Sequence, residues 1–262
     1  MTNSRFRILA AATLLLASVA LPTFIADHAH AANSFVSAKA VKSEAVVRGW
    51  LEDIRTSGQM VEVGALDWDA ATDTVRIQRL KVTPPQQAGA PTAATLSADL
   101  IEITAAAASA DGFSAGRLLA RNARLGDGGS GVAAREIRLD GAVLPKIDNS
   151  RRDPSRPVQA LVEYLRDLSR LAARSAVVDG IELKADAPAK ASGTTITRIE
   201  ATGIGEGRMA RLTISGFAAT DEKSGRSSRF ASLVLDAVDL NPLVRLFDPK
   251  PYAGAGHTRA WA

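Results

Sequence analysis

A chain with no cysteine and with histidine only at His28, His30 and His257 has few groups for covalent or proton-transfer chemistry. Without thiols there is no cysteine nucleophile, thiolate metal site, iron–sulfur centre or disulfide. His28 and His30 lie near the N-terminus and His257 in a polar tail, so residues 33–256 hold no imidazole. Ser-His-Asp hydrolysis, histidine-metal catalysis and ordinary histidine general-base chemistry are thereby removed from the body of the protein. An enzyme would have to use paired carboxylates, a Ser-Lys dyad or a tyrosine, and the tyrosines are Tyr164 and Tyr252. No catalytic residue, metal ligand or cofactor follows from these residues, and no ligand-binding residue is assigned.

The local patterns that resemble sites have simpler readings. Asp67-Trp68-Asp69 with Asp73 has a D-x-D look. A calcium loop of the EF-hand type needs glycine at its sixth position and glutamate at its twelfth, where this chain has Thr72 and Gln78, so an acidic hairpin turn is expected. Gly203-x-Gly205-x-Gly207 lacks dinucleotide-binding spacing and reads as a turn between strands. Gly126 to Gly131 lacks the Lys-Ser/Thr of a phosphate-binding loop, and Ser169 and Lys184 do not stand in Ser-x-x-Lys spacing. Arg117, Arg121 and Arg124 are a candidate guanidinium patch for lipid phosphates, or simply solvated strand charges.

Elements that would position these residues fall into two similar halves, 33–144 and 155–247, joined by a polar linker at 145–154. Val46, Val47, Trp50, Leu51 and Ile54 share one face of a helix over 43–56, with Ser43 as N-cap and Gly58 as the stop. Leu161, Leu165 and Leu168 predict a second amphipathic helix over 156–173. Strands are expected at 60–68, 74–83, 94–104, 114–125 and 131–144, then at 176–185, 193–203, 208–218 and 228–240. Connections this short favour antiparallel pairing, hence an α+β fold with a strongly twisted sheet and two amphipathic helices.

Apolar alternation slips phase from Val63 to Leu66, from Ile77 to Leu80 and along Leu96, Ala98, Leu100, Ile101 and Ile103, which predicts β-bulges or strongly twisted strands burying part of both faces. Segments 79–103 and 211–240 both run strand, polar loop, strand and both open on Arg-Leu. They are either repeats of a helix-plus-meander unit or two ordinary hairpins that look alike. Asn241-Pro242 opens a short turn of helix, and 248–262 reads as a flexible tail.

Residues 1–32 have the pattern of a secretory signal peptide: Arg5 and Arg7, an apolar run from Ile8 to Leu21, Pro22, then Ala29-His30-Ala31 as a cleavage site. Cleavage, and a periplasmic mature protein, are expected. At 46% hydrophobic residues the chain is an ordinary globular protein rather than a disordered one. The net charge of +4 falls to about +3 without Arg5, Arg7 and Asp27, and the arginines are dispersed. Nucleic acid, which needs a concentrated basic stripe, is not an expected partner.

Gly207 to Phe217 (GRMARLTISGF), followed by Leu233 to Leu240 (LVLDAVDL), resembles the rhythm of exported bacterial envelope proteins of the AsmA-like kind. The likeness covers about the last fifth of the chain and implies a groove-like sheet serving envelope maintenance or lipid movement. It carries over no functional residue. The chain departs from that family in its shortness, in its two predicted helices and in lacking an anchor after cleavage. The expected function is therefore non-enzymatic: an exported protein that binds an apolar ligand or an envelope partner. A lipid or an envelope protein is the expected partner, with peripheral membrane contact. The alternative is a hydrolase of envelope glycans, which needs two carboxylates about 5–9.5 Å apart in a cleft.

Overall fold

The computed structural model describes residues 42–56, 58–85, 94–109, 112–126, 131–145, 169–184, 193–221 and 226–242. They form one helix, α1 (Ser43–Thr56), and one antiparallel sheet. The strands are β1 (Met60–Glu62), β2 (Ala65–Asp69), β3 (Thr74–Thr83), β4 (Thr95–Thr104), β5 (Ala107–Ser109), β6 (Gly112–Gly126), β7 (Gly131–Pro145), β8 (Ala173–Lys184), β9 (Gly193–Ile204), β10 (Arg208–Asp221) and β11 (Arg226–Asp239). Their order is β1-β3-β4-β6-β7-β8-β9-β10-β11, with β2 beside β3 and β5 beside β6.

The mainly antiparallel sheet matches expectation, and the sequence boundaries differ in instructive places. The strand expected at 60–68 is broken at Gly64, whose N–H donates to the Gln78 carbonyl, and β5 was not foreseen. Most of the predicted helix over 156–173 lies outside the described residues. At its described end Ser169-Arg170 form a turn, Ala172 bridges Val143 and Ala173 opens β8, so the strand begins earlier than the residue 176 expected. Asn241 and Pro242 are helical, as read, while 243–247, the tail at 248–262, the leader at 1–32 and most of the linker lie outside the described residues.

The slip from Val63 to Leu66 is the break at Gly64 between β1 and β2, whereas the slips inside the longer strands share one cause, and it is not a bulge. A bulge inserts a residue on one strand only. Here both partners skip one position and the register is unchanged: Gln78 faces Leu100, and Leu80 still faces Ala98. Eight strands carry the same six-residue phrase, apolar-x-apolar-x-pivot-apolar, in which the pivot has a left-handed φ. The pivots are Arg79, Ala105, Asn122, Gly141, Gly180, Gly203, Gly216 and Ala237, with φ of 50, 52, 51, 58, 63, 60, 64 and 52°. Ala105 directly follows the last residue of β4, Ala237 lies near the end of β11 and the others stand inside strands. A left-handed residue reverses which way the next side chain points, so the residue after the pivot returns to the apolar side. Each strand thus keeps one main apolar side, although Leu119 of β6 is buried on the other.

Register follows the phrase. Its central residues face one another at all seven contacts: Arg76 with Glu102, Glu102 with Leu119, Leu119 with Arg138, Arg138 with Val177, Val177 with Glu200, Glu200 with Thr213 and Thr213 with Val234. Because the strands alternate in direction, pivots fall alternately on two lines that cross the sheet, one through Arg79, Asn122, Gly180 and Gly216 and one through Ala105, Gly141, Gly203 and Ala237. Between the lines, two rows of inward residues run strand to strand. One is Ile77, Ile101, Ala120, Ile137, Val178, Ile199, Ile214 and Leu233. The first seven of these are buried, and each such large aliphatic side chain stabilises by about 1.5–3 kcal/mol.

The segments 79–103 and 211–240 do form strand-loop-strand units, but their shared Arg-Leu is not structurally equivalent. Arg79 is the pivot of β3, and its counterpart in β10 is Gly216, five residues beyond Arg211. The same pivot accounts for the L-T-I-S-G-F phrase: Leu212 and Ile214 point inward, Gly216 pivots and Phe217 points inward again.

The two ends of the sheet are finished differently. At the first, α1 buries Val46, Val47, Trp50, Leu51 and Ile54 and contacts β3, β1 and β5. β1 and β2 are short and split the edge of β3 between them, which blunts it against further pairing. At the other end β11 is a 14-residue strand paired only with β10 among the described residues. Its inward residues are less covered than those of its neighbours: Leu233 is 38% exposed, and Phe230, Leu235 and Val238 are half-buried.

Candidate functional site

Three places gather polar or apolar groups in a way that requires an account. The first joins α1 to the start of the sheet. Ser43 is the first helical residue rather than the cap, since the Lys42 carbonyl accepts from the N–H groups of Ala45 and Val46 at 2.9 and 3.4 Å. Its hydroxyl is fully buried, accepts from the Ala106 N–H at 2.7 Å and donates to Asp73 at 2.6 Å. The other Asp73 oxygen receives the Trp68 indole N–H at 3.2 Å, and the Lys42 ammonium lies 4.6 Å from the Trp68 ring. The Ser43 hydroxyl, then the Trp68 N–H, hold the Asp73 carboxyl below its ordinary value of 3.8. Every member has a structural partner, so this cluster is a latch for the helix.

Two consequences of the latch can be measured together. Ser43→Ala leaves the Ala106 N–H buried without its partner and should lower stability by about 1–3 kcal/mol in urea unfolding. Because the folded-state pKa of Asp73 is depressed, its contribution is present above the unfolded value and is lost as pH falls through 3.8 and below. Acid titration should therefore narrow the gap between wild type and S43A from its neutral-pH value to the pH-independent part carried by the Ala106 N–H. Parallel curves throughout would show that Asp73 is not held this way.

The second place is a groove of about 580 Å³ on the outer face, along the line of pivots that includes Asn122 and Gly180. Lys81, Arg124 and Arg135 line it, with Glu182 as its only carboxylate among the described residues. The pair that glycoside hydrolysis requires is not found there among the described residues. Carboxylates whose titration is displaced move the wrong way for a general acid. The Thr72 hydroxyl and the Ala71 N–H lower Asp69, and the Asn241 N–H, with Arg208, lowers Asp239.

The residues singled out by sequence are mostly occupied in the fold. Asp69 accepts from the Ala71 N–H at 2.9 Å and from the Thr72 hydroxyl at 2.9 Å, closing its own turn, and Asp67 accepts from Gln78. No group of three or more His, Asp or Glu among the described residues could hold a metal. Arg117 and Arg121 reach Asp140 and Glu136 at 3.8 Å, which divides the supposed guanidinium patch, while Arg124 lines the groove. Gly205 and Gly207 belong to the β9–β10 turn, with no helix after it, and Gly203 is the pivot inside β9. Gly126 pairs with Gly131, and 127–130 lie outside the described residues. Ser169 stands in the turn before β8, and Lys184 ends that strand. Trp50 is in the core and Trp68 is half-buried. Tyr164, Tyr252, Trp261 and the three histidines lie outside the described residues.

The third place, which sequence reasoning missed, is the free edge of β11. On the outer side Val234 is 50% exposed and Arg229 is exposed with no ion-pair partner among the described residues. On the inner side Leu233 ends the row of large aliphatic residues that fills the core. The phrase repeated from β3 to β11 was the signal that could have found it, since the last copy faces no further strand among the described residues. No helix among the described residues is long and apolar enough to cross a membrane. Comparisons with family models, with curated proteins and with solved structures found no match for this chain.

Proposed function

We propose that this is a non-enzymatic exported protein of the cell envelope, periplasmic after loss of its leader, that docks a partner along β11. One observation carries the reading: the sheet's apolar interior and its main-chain edge stop together at a long strand with no neighbour beyond β10 among the described residues, while the opposite end is covered by α1 and short strands. An edge of this kind offers a row of N–H and C=O groups with apolar side chains between them. A lipid acyl chain can use only the apolar part, whereas an extended polypeptide uses both, so an envelope protein partner fits better than an apolar small ligand. The AsmA-like rhythm agrees with an envelope setting.

Expression of the full-length chain with its leader in a Gram-negative host, followed by fractionation and lipid mass spectrometry, tests this. The expected result is a processed periplasmic protein that sediments in a complex and carries no stoichiometric lipid. Leu233→Lys with Val234→Lys should release it from the complex without loss of fold by circular dichroism. Cytoplasmic protein with its leader intact, or a complex unaffected by the two lysines, would overturn the reading.

A further inference from the structure

We infer that the strand completing the sheet is β11 of a second copy, paired antiparallel with Val234 facing Val234 across a two-fold axis. This rests on the edge-docking function proposed above and names its partner. The register comes from the molecule's own rule, obeyed at all seven contacts between phrase-bearing strands, that phrase centres face one another. The centre in β11 is Val234, and two antiparallel copies meeting at their centres form an isologous contact.

Three independent features agree with that register. The pivots stay on their lines. At β10–β11 the left-handed Gly216 lies level with Ala231, and left-handed Ala237 with Ala210, so each line alternates a pivot with an ordinary residue. In the dimer Ala237 of each copy stands level with Ala231 of the other, and the alternation continues. The apolar side also continues, because Leu233 meets the other copy's Leu235 and Phe230 its Val238, covering the inner residues that one copy leaves exposed. Charge is complementary as well. Arg229, without an ion pair among the described residues, falls opposite the second copy's Asp239, and this happens twice about the axis. Asp239 receives Arg208 at 3.3 Å and the Asn241 N–H at 2.9 Å, one bond per oxygen, which leaves acceptor capacity for a second guanidinium. Opposite charges directly across an antiparallel pair are stabilising, and a shift by one residue would turn every inner side chain outward.

The absence of cysteine makes a direct test available on the full-length chain. Facing residues of an antiparallel pair have Cα atoms about 4.5–5.5 Å apart, within the range that a disulfide spans. Under mild oxidation Val234→Cys should give a covalent dimer, whereas Thr213→Cys on the neighbouring strand should form no cross-link. Ser232→Cys alone should not cross-link, and Ser232→Cys with Asp236→Cys should. Light scattering should show a dimer for the unmodified chain, lost in Arg229→Asp and regained when Asp239→Arg is added. A monomer at all concentrations, or a dimer that cross-links through S232C instead of V234C, overturns the inference. If V234C stays uncoupled while the L233K and V234K changes still release a complex, self-pairing is wrong and the edge has a different partner. If neither experiment responds, the docking function is wrong too.

Discussion

Gly216→Val should lower the stability of this protein by about 2–5 kcal/mol, a large share of the roughly 5–15 kcal/mol that holds a typical domain folded. Gly216 has φ of 64°, and a Cβ built on it would overlap the Thr197 hydroxyl and Cβ on the facing strand. The substitution thus combines two costs, about 1–2 kcal/mol for an L-residue in the left-handed region and about 1–3 kcal/mol for overpacking. A β-branched side chain at positive φ is the least tolerant choice. Ser215→Val, one position away, pairs with Arg198 and Ser232 on the outer side and should be nearly neutral. Ala237→Gly should move the other way, gaining up to about 1 kcal/mol, because alanine already bears the left-handed cost there. Urea midpoints for the three variants decide the matter. Equal values for Gly216→Val and Ser215→Val would mean that the pivot lines have no structural role.

A comparably large effect is expected at the opposite end of the core. Trp50→Ala should cost about 3–5 kcal/mol, the range for truncating a buried aromatic side chain. Trp50 is the largest residue on the buried face of α1 and tilts against Phe113 of β6, with ring centroids 5.6 Å apart at 55°. The helix is amphipathic but only 14 residues long, which is marginal for an isolated helix in water, so its stability comes from this docking. Losing Trp50 should release α1 and uncover apolar residues of β3 and the neighbouring strands that it contacts. Increased binding of a hydrophobic dye alongside the lowered urea midpoint is the expected signature. Arg48→Ala, which breaks only an exposed i,i+4 pair with Glu44, should change stability by less than about 0.5 kcal/mol. Dye binding equal in the two variants would show that α1 is not what closes that end.

The resemblance between stretches of the chain has a physical basis different from duplication of a large unit. Six residues suffice to specify one crossing of the central panel: two inward apolar positions, a pivot and the apolar residue that follows. Glycine fills four of the eight pivots and asparagine one, and these types accept a left-handed φ readily. At Arg79, Ala105 and Ala237 the neighbours impose the conformation on residues that disfavour it. This is why composition alone hides the pattern: a phrase whose diagnostic position may be Gly, Asn, Ala or Arg does not stand out as a motif.

Local chemistry in the amino-acid order was enough for α1, for the positions of most strands and for the exclusion of thiol and imidazole catalysis. Each of these depends on residues within a few positions of one another, as in the spacing of Val46, Val47, Trp50, Leu51 and Ile54. The phase slips at Ile77 to Leu80 were equally visible, but their meaning was not. A slip in one strand is compatible with a bulge, a twist or a pivot, and the difference lies in whether the facing strand slips at the same level. That is a relation between residues such as Gly216 and Thr197, or Arg79 and Asp99, brought level only when the register is set. The same holds for Ser43, which reaches Asp73 and Ala106 across 30 and 63 residues of chain. Whether β11 has a neighbour on both sides is decided by the order of strands in the sheet, because a strand's own sequence does not say where the sheet stops.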